Sequence, residues 1–143
     1  MRHTTRAAFA AALVAAVTGA VLPAAAAADT RAPAPRTERV SVGASGTQAN
    51  GPSDAPDISA DGRYAVFASE ATNLVRGDTN DRNDIYLRDL RTKKVERISL
   101  QDSGAQYSSH AGDPSISANG RYVTYSAQVD RAGGLYSGTF MKD

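Results

Sequence analysis

Beyond residue 28, short runs of β-branched and aromatic residues alternate with polar, glycine-containing segments. The runs Tyr64–Ala68 and Tyr122–Tyr125 are apolar at successive positions, which is typical of strands buried on both faces. Two further strands are predicted at Asp84–Leu90 and Val95–Leu100, joined by a turn at Arg91–Lys94. Because no segment after Ala28 repeats its apolar residues every 3.6 positions, the pattern predicts an all-β fold.

Two dipeptides, Asp61-Gly62 and Asn119-Gly120, mark tight hairpins. Such turns need positive φ at both central residues, and Asn-Gly and Asp-Gly are the pairs that tolerate it best. A short strand anchored by Ile58 or Ile116 precedes each turn, and an aromatic run follows it. Each half of the chain is therefore predicted to contain a similar set of antiparallel strands.

The chain also contains an internal duplication. Residues 38–69 align without a gap on residues 96–127, a shift of 58 positions, and thirteen of the 32 aligned residues are identical. Ordinary composition would give about two identities. A fixed period of this length indicates a repeat architecture in which each repeat is one small sheet.

The repeated stretch resembles a known family. Pro56–Tyr64, Val66–Ser69 and Asp84–Leu90 are similar to the TolB-type (WD-like) β-propeller repeat, and the insertion Asn73–Asn80 resembles the variant found in secreted actinobacterial proteins. The resemblance covers nearly all of the chain from Glu38 onward.

This resemblance implies four-stranded antiparallel blades within residues 37–143, with blade one at about 56–100 and an incomplete blade two at about 114–143. The family uses this scaffold mainly for protein or ligand binding. The turn departs from the family at Lys93, where glycine is usual, and this departure is expected to weaken the hairpin.

The end of the chain predicts an incomplete propeller. Residues 140–143 match 86–89 if the second connecting loop is four residues shorter, and Glu38–Val42 matches only the last strand of a blade. A propeller of four compact blades needs about 160 residues, whereas 115 follow position 28. We therefore expect about one and a half blades of an incomplete β-propeller, a fragment of a longer array whose open faces favour self-association.

The first 28 residues are typical of a signal peptide. Arg2 and Arg6 form a positive start, an apolar stretch runs from Ala7 to Leu22, and the small residues 24–28 offer a cleavage point before Asp29. The apolar stretch is about 16 residues long, short of the ~20 that span a bilayer, so no membrane anchor is predicted. A Pro/Ala linker is expected at residues 29–36, and the mature protein is expected to be secreted or extracytoplasmic.

The composition of the chain excludes several classes of function. The chain has no cysteine, which excludes disulfides and thiolate metal sites. Without the leader, 14 basic residues face 15 acidic ones, and no basic stripe suited to nucleic acid remains. We therefore expect no nucleic-acid partner and an unidentified protein or glycan as the partner instead.

The loop 78–84 is the best candidate for a cofactor site. Asp78, Asn80 and Asp84 supply oxygen ligands at alternating positions, with a backbone carbonyl near Arg82, and calcium prefers such ligands. The loop lacks the glycine and the distal Glu of an EF-hand, and Asx side chains also cap turns. We favour the turn-capping interpretation and predict no cofactor, calcium being the one alternative.

His110 lies near Ser108, Ser109 and Asp113, which suggests a hydrolase. Catalytic triads assemble from distant segments, however, and the chain has no Gly-x-Ser-x-Gly elbow. We interpret His110 as an exposed loop residue and predict no catalytic residue. Four other charged residues are interpreted as turn and inter-strand partners: Asp57, Asp61, Arg63 and Arg121.

Three hypotheses about function follow. The first is a secreted, non-catalytic binding module. The alternative is the propeller portion of an exported enzyme, a peptidase or a polysaccharide-degrading protein, whose catalytic part lies beyond this chain. The third is a decayed gene product without function.

Overall fold

The structure is a computed structural model that describes residues 34–131 and 134–143. The chain divides into Met1–Pro35 and Arg36–Asp143. The predicted signal peptide and most of the linker therefore lie outside the described residues. Within them, no helix is long and apolar enough to cross a membrane.

The described residues of Arg36–Asp143 form seven strands and no helix, so the predicted all-β class is confirmed. The first sheet has the order β1-β2-β3-β4 and the second the order β5-β6-β7, and all pairs are antiparallel. The strands are β1 (Ser53–Ile58), β2 (Tyr64–Ser69), β3 (Asp84–Asp89), β4 (Val95–Arg97), β5 (Ala111–Ile116), β6 (Val123–Arg131) and β7 (Gly134–Lys142).

The register of the two sheets confirms the duplication. Phe67 faces Tyr86 across β2 and β3, and Tyr125 faces Phe140 across β6 and β7. These pairs are equivalent when the second loop is four residues shorter, as the alignment predicted. In the segment 128–137, which corresponds to the irregular loop 70–83, the described residues 128–131 and 134–137 extend the strands β6 and β7 instead.

A matching irregularity interrupts the first strand of each repeat unit, the first unit being the sheet β1–β4 and the second unit the sheet β5–β7. The register of β1 shifts between Asp54 and Asp57, and that of β5 shifts between Gly112 and Ser115. Ala55 and Asp113, which are equivalent, adopt positive φ values of 45° and 50°. Each precedes a proline, and the bulge bends the strand before the hairpin.

The hairpins that follow these strands differ from the prediction in one respect. Only the glycines take positive φ, 67° at Gly62 and 70° at Gly120, so the expectation for both central residues was wrong. Asp61 uses its side chain instead, since its Oδ1 accepts from Ser59 Oγ at 2.6 Å and from the Arg63 amide at 3.0 Å. This Asx-type contact stabilises a longer turn, closed by the Ser59 amide donating to Tyr64 O.

The turn between β3 and β4 places Lys93 at a φ of 65°, a conformation that glycine adopts without steric cost. Its amide donates to Asp89 O, and its ammonium group contacts Glu38 Oε1 at 2.7 Å. The turn therefore forms despite the side chain that departs from the family pattern.

Two apolar clusters cover the two faces of the first sheet. The inter-sheet cluster lies between the sheets, and the N-terminal cluster lies under the segment 40–49. The inter-sheet cluster contains Val66, Ala68, Ile85, Ile98, Tyr107, Ala111, Ile116, Val123, Tyr125 and Ala127. The N-terminal cluster contains Phe67, Ala71, Leu74, Tyr86 and Val95, with Val40, Ala49 and Val75 packed against it. The first sheet is thus the central layer of the fold, which explains why β2 is apolar on both faces.

Candidate functional site

Two of the three predicted calcium ligands lie together, but around an arginine. Asp78 lies in the loop 70–83, Asp84 is the first residue of β3, and Arg97 is the last residue of β4. Arg97 NH1 lies 3.0 Å from Asp78 Oδ1 and 3.3 Å from Asp84 Oδ2. The side chains are 9%, 2% and 0% exposed for Arg97, Asp78 and Asp84. The guanidinium therefore lies between both carboxylates and supplies the pair with one positive charge inside the protein.

Further hydrogen bonds extend this buried network. Tyr86 donates its hydroxyl to Asp78 Oδ2, and Ser99 Oγ donates to Asp84 Oδ1 at 2.6 Å. The Ile85 amide donates to Ser99 Oγ at 3.0 Å, so the network is tied to the sheet backbone. We call Asp78, Asp84, Tyr86, Arg97 and Ser99 the carboxylate network.

Burial is the main cause of the pKa changes of Asp84 and Tyr86 in the carboxylate network. Burial raises the pKa of the Asp84 carboxyl, while hydrogen bonds from Ser99 and Asn80 and the charge of Arg97 act in the opposite direction. Burial also raises the pKa of Tyr86, and its bond to Asp78 adds to the increase. The tyrosine is therefore a hydrogen-bond donor at neutral pH, which suits its structural contact with a carboxylate.

Asn80, the third predicted ligand, serves the neighbouring loop. Its Nδ2 donates to Tyr107 O at 3.2 Å, and its backbone amide donates to Gln106 Oε1 at 3.1 Å. Arg82, whose carbonyl was a further candidate, donates from Nε to Ser108 O at 3.0 Å. These contacts join the loop 78–84 to residues 106–108 and favour a structural role for it.

We predict that calcium leaves thermal stability unchanged. Arg97 already lies between Asp78 and Asp84, and across residues 34–131 and 134–143 no three His, Asp or Glu side chains are placed to hold a metal. A ligand at 100 times its Kd would stabilise the folded state by about 2.7 kcal/mol. Thermal melts with and without excess calcium check this, with magnesium as the control cation. A rise of several degrees specific to calcium would show that a site exists.

His110 lies immediately before β5, where it is exposed. Its Nδ1 accepts from the Asn83 amide at 3.0 Å, which fixes the ring against the first unit. Nearby hydroxyls have other acceptors: Ser109 Oγ donates to Gln128 O, and Ser126 Oγ donates to Asp113 Oδ2 at 2.9 Å. These contacts align no nucleophile with the imidazole, although His110 and both serines line the same open groove.

The remaining predicted charged residues have the structural roles expected of them. Arg63 contacts Asp89 Oδ2 through Nε at 3.2 Å and NH2 at 3.0 Å. The equivalent pair in the second unit is Arg121 with Asp143, at 2.7 and 2.9 Å. Asp89 Oδ1 also accepts the Thr92 and Arg91 amides; the Thr92 bond contributes most to lowering the pKa of Asp89 to about 2.

Sequence reasoning missed Arg97, Tyr86 and Ser99 as partners of the acidic loop. Arg97 belongs to the repeated Glu-Arg-x-Ser motif, and that recurrence was the available signal. It also missed two exposed apolar residues near the end of the β6–β7 hairpin, Leu135 at 60% and Tyr136 at 50% exposure.

No protein-family model matches the sequence, and neither does any curated protein.

Proposed function

We propose that the chain is an exported, non-catalytic binding module built from propeller-like sheet repeats packed in series. The observation that carries this proposal is the contact between matched residues of the two units. Asp57 Oδ2 accepts from Ser115 Oγ at 3.0 Å and from the Ile116 amide at 2.9 Å. Ser115 is the residue equivalent to Asp57 itself.

A second contact repeats this relation. The Ala60 amide donates to Ala118 O at 3.0 Å, again between equivalent positions. One face of the first sheet therefore packs on the opposite face of the next sheet, as the blades of a propeller do. Both sheets are antiparallel and follow chain order, as blade strands do.

A binding role is supported by where the reactive side chains lie. The carboxylate network is buried and internally paired, and the serines beside His110 bond to backbone or carboxylate acceptors. The hairpin of β6 and β7 instead presents Leu135 and Tyr136 to solvent. Exposed aromatic and aliphatic side chains on an ordered strand are typical of contact surfaces.

The leader sequence supports export, so cleavage before Asp29 is predicted. Processing at this point would leave the Pro/Ala linker ahead of the folded unit. N-terminal sequencing of protein collected outside the cytoplasm tests the prediction. Protein that still begins at Met1 would remove export from the proposal.

The binding role can be tested by photo-crosslinking. Benzoylphenylalanine replaces Tyr136 in one variant and Arg91, an exposed turn residue, in a control variant. Each variant is exposed to the secreted proteins and the cell-wall glycan of the producing cell. A product formed from position 136 alone supports the module, whereas equal products from both positions, or none from either, contradict it.

The proposed absence of catalytic activity is tested by a separate assay. The purified protein is tested on peptide, ester and glycoside substrates, beside a His110→Ala variant. We expect background rates from both proteins. Turnover that disappears on substitution of His110 would establish an enzyme instead.

A further inference from the structure

The edge strands of the two sheets differ in how well they are protected against pairing with another chain. β1 and β5 each form one edge, and each is interrupted by a bulge and contains a proline, Pro56 or Pro114. β4 has only three residues, Val95–Arg97, two of which are charged. Bulges, proline and short charged strands are features by which proteins prevent edge pairing. Three of the four edges are therefore protected.

β7 is the fourth edge strand and has none of these features. Its nine residues, Gly134–Lys142, pair with β6 in a continuous register, and residues 134–141 include no charged residue and no proline. Within residues 34–131 and 134–143, no strand pairs with its other side. Every second residue of a strand directs its backbone amide and carbonyl groups to that side. The edge of β7 can therefore accept another strand.

The sequence of β7 is symmetric in residue type about Gly138. On each side of this glycine come a hydroxyl residue, an aromatic residue and a large apolar residue, in the order Leu135-Tyr136-Ser137-Gly138-Thr139-Phe140-Met141. When two copies of this strand run antiparallel about a two-fold axis at Gly138, each residue lies opposite one of its own kind. The opposed pairs are Leu135 with Met141, Tyr136 with Phe140, and Ser137 with Thr139. A shift of two residues would instead place Leu135 opposite Thr139, or Met141 opposite Ser137.

The large apolar residues that the described part of the chain exposes lie mainly on this strand. Leu135, Tyr136 and Met141 are 60%, 50% and 67% exposed, and Ile58 on β1 is the other such residue. In the antiparallel pair, Leu135 of each copy meets Met141 of the other. Cross-strand apolar and aromatic pairs of this kind are the contacts that stabilise a sheet.

The aromatic residues of β7 form a second set of matched contacts. Phe140 stacks on Tyr125 of β6 with the ring centroids 5.7 Å apart, and its ring lies 3.4 Å from the point that a Cβ on Gly138 would occupy. In the antiparallel pair, Tyr136 of the second copy lies on the other side of Phe140. The aromatic row that begins at Tyr125 is thereby extended across the edge.

The distribution of charge also favours the antiparallel arrangement. Lys142 is the only charged residue of β7. In the antiparallel register it lies opposite Gly134 of the other copy, so the two Lys142 residues are about 27 Å apart along the strands. This distance exceeds the Debye length of about 10 Å at ordinary salt concentrations. A parallel pair in register would place the two ammonium groups side by side.

We propose that β7 pairs with β7 of a second copy of this chain, antiparallel and centred on Gly138, to form one sheet of six strands. The inference names a partner for the β6–β7 hairpin and rests on the contact role proposed for that hairpin. It assigns the self-association expected of the chain to a sheet edge rather than to an open sheet face. Nine residues of each copy pair, fewer than the ~20–30 on each side of a standard interface, so the dimer is expected to be reversible.

Cysteine substitutions test the register, because the chain has no cysteine of its own. Ser137 and Thr139 are exposed and lie opposite each other in the proposed pair. Their Cα atoms should be about 4.5–5.5 Å apart, within reach of a disulfide, whereas identical residues of the two copies should be about 7–8 Å apart. An equimolar mixture of full-length Ser137→Cys and Thr139→Cys proteins should therefore oxidise to a mixed disulfide faster than either variant forms its own dimer.

The strength of the dimer is measured by analytical ultracentrifugation of the full chain over a series of concentrations. Leu135→Lys places a lysine against Met141 twice in each symmetric dimer, so the dimer Kd should rise by at least about tenfold. Ile58→Lys is the matched control, since Ile58 is 55% exposed but lies on β1. This control should leave the Kd unchanged. Circular dichroism verifies that both variants keep the strand content of the natural chain.

Three outcomes overturn the inference. A natural chain that remains monomeric at about 0.1 mM does not form the proposed dimer; the binding proposal then stands only if position 136 still cross-links another secreted protein or the glycan. Dissociation of the dimer by Ile58→Lys but not by Leu135→Lys would place the contact on the first sheet instead. A mixed disulfide that forms no faster than the two homodimeric ones would exclude the register centred on Gly138.

Discussion

Replacing Arg97 with leucine is expected to lower the free energy of unfolding by about 3–5 kcal/mol. The substitution leaves the buried carboxylates of Asp78 and Asp84 without their counter-charge. Removing one partner of a buried ion pair is costly because the remaining charge can neither be hydrated nor paired. Urea denaturation at pH 7 measures the change.

Arg39 provides a matched control for this substitution. It is equivalent to Arg97 in the repeat, and its NH1 contacts Gln48 as that of Arg97 contacts Gln106. Arg39 is exposed, however, so Arg39→Leu should change stability by no more than about 0.5 kcal/mol. Equal losses from the two substitutions would contradict a special role for the carboxylate network.

The Arg97→Leu loss should also depend on pH. The pKa of Asp84 is already raised by burial, and removal of the guanidinium raises it further. Above pH ~4, the folded variant then binds more protons than its unfolded chain, whose aspartates titrate near 3.9. Its stability relative to the natural chain therefore recovers as the pH falls toward 4 and worsens as the pH rises. A loss that is constant from pH 4 to pH 7 would contradict this account.

Ile116→Ala is expected to cost about 2–4 kcal/mol, whereas Ile58→Ala should cost about 0.5 kcal/mol. The two isoleucines have equivalent positions, and only Ile116 is enclosed in the inter-sheet cluster. Truncating it removes buried apolar contact and leaves a cavity between the sheets. Denaturation curves of the two variants provide the comparison, and similar losses would mean that the sheets do not pack as described.

The local pattern of the chain predicted much of the fold. The duplication located equivalent strands, and the shortened second loop matched residues 140–143 to 86–89. The register agrees with this match, since Phe140 lies opposite Tyr125 as Tyr86 lies opposite Phe67. These features depend on residues close in sequence, whose side-chain spacing reports strand pairing directly. The propeller assignment and the absence of catalysis remain proposals.

Other features depend on contacts that local pattern does not encode. Asp78, Asp84 and Arg97 meet only because the loop, β3 and β4 fold together, so the same acidic spacing also suggested a calcium site. The positive φ of Ala55 and Asp113 follows from bulges set by strand pairing. The burial of equivalent residues likewise depends on the order of the sheets. Ile116 is covered by the first sheet, whereas its equivalent Ile58 is exposed.

The serial packing of the two units is tested most directly by nuclear Overhauser contacts in the folded chain. The Ile116 amide donates to Asp57 Oδ2 at 2.9 Å, which places its proton near the β-protons of Asp57. We predict a cross-peak between these protons, together with one between Ser115 and Asp57. Intact cross-strand contacts within each sheet, without any contact between Asp57 and residues 115–116, would contradict the packing of matched surfaces.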